Sequence, residues 1–236
     1  MPAGVTTLGA IRTQVRQRCD MVNSQFITDS EFNAYINGSY QELYDILVQK
    51  FGDNYFVTGP TTVTTDGVSQ TFALPADVYT MLGVDGQLTA GGTAQWVNVP
   101  RFNFTDRNRW TIVGTVAPYP AARVHYQILG NNIYFAPLPS AGNLFRIWYV
   151  PRLAALVTDS DTVDGVSGWE EYIVVDAAIK AMVKEESDPS AFAMQKQALV
   201  QRIEAAAENR DAGNPMTVAD SQGASQDPWG NLYEVS

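Results

Sequence analysis

The residues best suited to chemistry in this chain are few and scattered. Asp159, Asp161 and Asp164 have the composition that opens a calcium loop. The glycine and the closing glutamate of such a loop do not both fall in register with them, so an EF-hand is not expected. Glu170 and Glu171 are adjacent carboxylates, but neighbours on a helix point different ways, and two acids in a first turn are explained by the helix dipole. The single histidine, His125, sits among alternating apolar residues and reads as a strand position rather than the base of a Ser/His/Asp site. The single cysteine, Cys19, excludes an internal disulfide and a cysteine-based zinc site, and it falls on an apolar helix stripe as a buried thiol. Gly91-Gly92 has no following Lys-Ser/Thr and reads as a turn, not a phosphate loop. The sequence therefore assigns no catalytic residue, cofactor or metal ligand.

Charge is distributed by region. The net charge is −10 over 236 residues. Residues 1–54 sum to −2, residues 55–157 to +2 and residues 158–236 to −10. Every cation of the middle region is an arginine: Arg101, Arg107, Arg109, Arg123, Arg146 and Arg152. Arginine suits planar, hydrogen-bonded pairing at interfaces better than lysine does. No apolar run is long enough for a membrane span and no signal segment opens the chain, so a soluble protein made in a reducing cytoplasm is expected.

The elements that must position these residues follow from periodicity. Leu8, Ile11, Val15 and Cys19 recur at helical spacing. Thr28-Asp29-Ser30-Glu31 is a capping box, and it opens a helix whose stripe is Phe32, Ile36, Tyr40, Leu43 and Leu47. Gly38 interrupts that helix and marks the close approach of a neighbouring helix, and Gly52 ends it. From residue 55 the pattern changes to short strands. Thr61–Thr65 and Gln70–Leu74 flank Asp66-Gly67 as a predicted hairpin. Strands are also predicted at Val78–Val84, through Trp96 and Val99, at Val124–Ile128 and Ile133–Phe135 around Gly130, and at Leu144–Val150; a short helix is predicted within 101–112. After an acidic loop, Ser167 or Gly168 caps a helix running to about Glu186, and Pro189 starts a last helix to about Arg210. Residues 211–236 are polar and aperiodic, yet end in Pro228-Trp229-Gly230-Asn231-Leu232-Tyr233, a polar leash with an aromatic anchor suited to folding on a partner.

Neither helical end can bury its stripe alone. The expected fold is therefore α+β: a bundle of about four helices drawn from both chain ends, with an inserted antiparallel β domain, sandwich or barrel-like, and an extended C-terminal tail. The expected divisions are 1–54 and 158–210 for the two halves of the bundle, 55–157 for the β domain and 211–236 for the tail.

Four blocks, in this order, resemble the head-to-tail adaptor proteins of tailed double-stranded DNA bacteriophages. They are Thr7–Arg18, TLGAIRTQVRQR; Ile27–Leu47, ITDSEFNAYINGSYQELYDIL; Thr71–Val84, TFALPADVYTMLGV; and Ile147–Pro189, where a strand ending in WYVPR leads through DSDTVDG into GWEEYIVVDAAIKAMVKEESDP. None is a chemical signature; their order and spacing carry the likeness. The departures are Gly38, the insert at 101–123 and the long polar tail. The resemblance implies a non-enzymatic virion protein, made in the bacterial cytoplasm and located in the neck. It would form a ring of twelve copies beneath the portal, join head to tail or nozzle protein, and extend a channel through which double-stranded DNA passes during ejection without sequence-specific binding. On that reading Trp229, Leu232 and Tyr233 contact the portal, and Arg101, Arg107 and Arg109 face the tail. The alternative within the same class is another tail-completion or capsid-associated protein. The alternative from a different class is a hydrolase with an acidic pair in the β domain, which requires a carboxylate of raised pKa in a concave pocket.

Overall fold

A computed structural model describes residues 6–52, 56–88, 95–106, 124–163 and 168–208. Helix α1 spans Leu8–Arg18 and α2 spans Asp29–Phe51. Strands β1 (Thr61–Thr64), β2 (Thr71–Ala73), β3 (Val78–Gln87) and β4 (Trp96–Asn98) follow, then a short 3-10 turn at Phe104–Asp106. Strands β5 (His125–Leu129), β6 (Asn132–Ala136) and β7 (Leu144–Pro151) lead to α3 (Glu170–Lys184) and α4 (Ser190–Glu208). This is an α+β fold, with four helices from both ends of the chain and antiparallel sheets between them.

The helices form where the apolar spacing demands. Leu8, Ile11 and Val15 of α1, and Phe32, Ile36, Tyr40, Leu43 and Leu47 of α2, are buried against Tyr172, Ile173, Ala177, Ala178 and Ala181 of α3. Leu199 and Ile203 attach α4. The small side chains of α3 let three helices approach it. The capping box of α2 is complete: Thr28 Oγ1 accepts from Glu31 N–H at 3.3 Å, and the Glu31 carboxylate accepts from Thr28 N–H at 2.9 Å. The expected cap of α3 is different. Trp169 holds the cap position with no side-chain bond, and Glu170 reaches back to accept from Gly168 N–H at 2.9 Å.

The strands form two sheets, ordered β1-β7-β3-β4 and β2-β6-β5. Val84, Phe145, Ile147 and Tyr149 of the first sheet share a core with Tyr126, Ile133 and Phe135 of the second, and the rings of Phe135 and Phe145 stack at 4.3 Å. This is the sandwich arrangement. Gly130 turns β5 into β6 with φ 60°, as its sequence predicts.

The hairpin predicted at Asp66-Gly67 does not form. β1 pairs with β7 and β2 with β6, so the turn carries the chain from one sheet to the other. Its local chemistry is still that of a turn. The Asp66 carboxylate accepts from the N–H groups of Val68 and Ser69, and Gly67 has φ 75°. A Cβ at Gly67 would stand 2.9 Å from Ala141 N, so backbone of the β6–β7 connection fills the space beside it. A turn signal fixes the bend but not the partner of the strand that leaves it.

Bundle and sandwich meet along one seam. Tyr44 and Val48 of α2 pack on Val150 of β7, with Phe56, Leu82 and Leu153 around them. Tyr44 Oη donates to Pro151 O at 2.6 Å, and Tyr79 Oη of β3 donates to Asp45 at 2.9 Å.

Candidate interaction surfaces

The acidic loop after β7 is built as a brace. Asp159 accepts both guanidinium N–H groups of Arg12, at 2.8 and 2.7 Å. Asp161 accepts from the N–H groups of Val157 and Thr158 at 2.6 and 2.8 Å and from the Thr158 hydroxyl at 2.5 Å, which lowers its pKa. The loop carbonyls of Asp161 and Asp159 accept from Leu8 N–H and Gly9 N–H, sealing the first turn of α1. Carboxylates committed in this way are poor calcium ligands. Asp164 lies outside the described residues. Among those described, no group of three or more His, Cys, Asp or Glu is placed to hold a metal ion.

Glu170 and Glu171 are separated by their partners. Glu170 serves Gly168, whereas Glu171 accepts from Arg18 at 2.6 Å and from Gln195 at 3.1 Å. Cys19 caps the end of α1, half-buried, with its thiol 3.6 Å from Ala178 O. Burial, with Glu185 adding, pushes its pKa up to about 11, so it is held as a thiol. His125 opens β5 rather than sitting within it.

Sequence reasoning missed the principal polar cluster of the bundle. Asp176 of α3 is only 2 % exposed. Lys196 of α4 donates to its Oδ1 at 2.7 Å and also to Glu42 of α2 at 2.9 Å. Lys180 Nζ stands 2.6 Å from Oδ2, an ion pair off the hydrogen-bond line, and donates to Ser39 at 3.0 Å. Burial raises the pKa of Asp176, but the hydrogen bonds and charges of Lys180, Lys196 and Ser39 outweigh it and hold the carboxyl at about 2. The visible signal was one acid on an apolar helix face, three residues after Ile173 and beside Ala177. The neighbour announced by Gly38 is a side chain: Lys180 Nζ lies 3.5 Å from where a Cβ would be.

The β region treats its arginines differently. Arg101, beside β5, donates to Gln127 at 2.6 Å. Arg146 lies 3.6 Å over the ring of Trp96, and Arg152 donates to Val78 O at 3.2 Å. None of the three has a carboxylate within 4 Å among the described residues. Arg107 and Arg109, paired with Arg101 in the sequence reading, lie outside the described residues. So do Arg123, Trp229, Leu232 and Tyr233.

A hollow of about 670 Å³ runs between α2 and residues 151–162. Its charged lining is Arg152 and Asp161, and the latter is already taken up by its own loop. Among the described residues, each displaced carboxylate (Glu31, Asp66, Asp159, Asp161, Asp176 and Asp188) is displaced downward, the reverse of what an acid-pair hydrolase needs. No described helix is long and apolar enough to cross a membrane. The molecule instead presents packed, ion-paired helices and an arginine- and tryptophan-bearing sheet, the materials of an interaction scaffold.

Comparison with known proteins agrees with that reading. No curated protein matches the chain. The sequence model of the SU10 adaptor proteins matches residues 6–219, which takes in every described element, and the chain belongs to this family of bacteriophage structural adaptors.

Proposed function

We propose that this protein is the head-to-tail adaptor of its virion, a ring beneath the portal that joins head to tail and continues the DNA channel. The observation that carries the reading is the family match over residues 6–219. Twelve copies pack side by side through helical faces in the virion neck. The segment 211–236 docks on the portal through Trp229, Leu232 and Tyr233, which supply apolar anchors at the end of a polar leash. Arg101, Arg107 and Arg109 face the tail or nozzle protein. Acidic residues of the helical third that face the channel repel the DNA backbone, so the duplex slides without adhering.

The test is the mass of the purified protein, alone and mixed with the portal protein of its phage, by native mass spectrometry or light scattering. A ring-sized complex that requires portal supports the proposal. No binding to portal assigns the chain to another position in the virion. Deleting residues 211–236 is expected to abolish the complex; a deletion that leaves it intact removes the tail from the portal contact.

A further inference from the structure

We infer that the face of the β1-β7-β3-β4 sheet opposite the sandwich core, beyond the seam where Val150 meets α2, docks a tail-side virion protein that presents a carboxylate beside an apolar side chain. This rests on the head-to-tail reading and gives its tail contact a place and a chemistry.

The register assembles the surface. Thr62, Arg146, Asp85 and Asn98 are successive cross-strand partners in β1, β7, β3 and β4, so they share one face. Trp148 lies opposite Gly83 two residues along, on that same face. The alternate residues Phe145, Ile147 and Tyr149 point into the sandwich core.

Arg146 and Asp85 stand opposite one another, yet they form no ion pair. Each is turned to a tryptophan instead. The guanidinium carbon lies over the Trp96 ring, 3.6 Å from its centroid, and Asp85 Oδ2 accepts from Trp148 Nε1–H at 2.6 Å. A stacked guanidinium keeps its N–H edges open for a bidentate carboxylate. A tryptophan held by its N–H is a preorganised contact surface with little entropy left to lose.

Beside Asp85 and Trp148 lies a shallow hollow of about 390 Å³, lined also by Val57, Leu82, Gly83 and Asn98. A Cβ built on Gly83 meets nothing within 4 Å, and the backbone there is not in the left-handed region. Neither turn geometry nor crowding requires this glycine. Its effect is to keep the hollow open beside Trp148, with room for one apolar side chain. Tryptophan and arginine are the residue types that dominate binding energy at protein interfaces. Charge selects the partner. Residues 55–157 sum to +2 with arginine as the sole cation, and Arg101, Arg146 and Arg152 have no carboxylate within 4 Å among the described residues, so an acidic partner group is the complement.

The test uses the phage encoding this chain, carrying Arg146→Glu or Gly83→Leu in the full-length protein. The first reverses the charge; the second fills the hollow and removes no contact, so it remains informative if charge reversal disturbs folding. Heads are scored for tails by electron microscopy and for bound adaptor by immunoblot. The expected result is DNA-filled heads that keep the adaptor and lack tails, with tailed particles reduced about thirtyfold or more. Revertants of Arg146→Glu are expected to convert an acidic residue of a tail protein to a basic one. Normal tailing in both variants overturns the proposal. So does loss of the adaptor from heads, which would place this face on the portal side, and so does loss of self-association, which would make its occupant a second copy. Wild-type heads that carry no adaptor would instead overturn the head-to-tail reading itself.

Discussion

In the helical bundle, Arg12, Arg16, Arg18, Lys50, Lys180, Lys184 and Lys196 each reach a carboxylate, and Arg202, which reaches none among the described residues, lies over the ring of Trp169. In the β region, Arg101, Arg146 and Arg152 reach none among the described residues. The acids differ in the same way. Bundle carboxylates hold ammonium and guanidinium groups from other helices, whereas Asp66, Asp77 and Asp85 accept from a turn, a tyrosine and a tryptophan. Helices from opposite ends of a chain can slide and rotate on an apolar seam, and long-range ion pairs such as Glu31–Lys184 and Glu42–Lys196 fix their register. Strands already have their register set by the backbone ladder and by alternation about the core. Among the described residues, Arg101, Arg146 and Arg152 therefore serve no ion pair of the fold, and their charges remain available to something outside.

The largest break in this comparison is expected at Asp176. Replacing it with alanine leaves Lys180 and Lys196 partly buried with only Glu42, at 3.8 and 2.9 Å, as their acid. The cost is about 3–5 kcal/mol, read from urea denaturation. The β counterpart, Asp85→Ala, gives up one hydrogen bond to an indole and costs about 1 kcal/mol. Equal costs would mean that the two regions do not differ in how charge supports the fold.

The vulnerable positions of the β region are backbone positions. Gly67→Ala places a Cβ 2.9 Å from Ala141 N at a φ of 75°, and is expected to cost about 2 kcal/mol or more in the same assay. A neutral result would mean that the turn shifts freely and does not tie the two sheets together.

Acid titration separates the regions more gently. The carboxyl of Asp176 is at about 2 in the folded protein against 3.8 for the free side chain. A depressed folded pKa gives stability that is complete above the unfolded value and is lost as pH falls through the folded one. Roughly 2 kcal/mol should therefore disappear between pH 4 and pH 2. Asp176→Asn should flatten that part of the profile of melting temperature against pH. An unchanged slope would assign the acid sensitivity elsewhere, for instance to Glu31 on Lys184 or to Asp66 in its turn.

These contrasts explain which parts of the molecule were legible in the sequence. The helices were, because Leu8, Ile11 and Val15 or Phe32, Ile36 and Tyr40 state a period of 3.6 without help from elsewhere. The capping box at Thr28 was, because its two partners are three residues apart. Strand identity was legible but pairing was not: Asp66-Gly67 announces a bend, and whether β1 then meets β2 or β7 depends on contacts some eighty residues away. The Asp176 cluster was hidden for the same reason. It needs residues 42, 176, 180 and 196 together, and no local spacing relates the first to the rest. Of the surface residues read from sequence, Arg101 is seated on Gln127, and the arginine stacked on Trp96 is Arg146, which composition alone could not rank above its neighbours.

The smallest stability effect is the one that bears most on function. Arg146→Gln removes a cation over Trp96 and no ion pair, so its cost to the isolated protein is about 0.5–1 kcal/mol. Arg12→Gln is the sharp comparison, since it breaks a bidentate contact with Asp159 and releases the loop that seals α1; about 1–2 kcal/mol is expected. Raising salt should narrow the gap by screening the Arg12 pair and leaving the stacked arginine almost unaffected. Paired melts of the two variants at low and high salt check both statements. If Arg146→Gln proved the costlier change, Arg146 would belong to the architecture of the sheet. If it is the cheaper change for folding and still damages assembly, the residue is held in place for a partner, because a side chain that contributes little to its own fold yet is fixed at 3.6 Å over a tryptophan is arranged for contact beyond the chain.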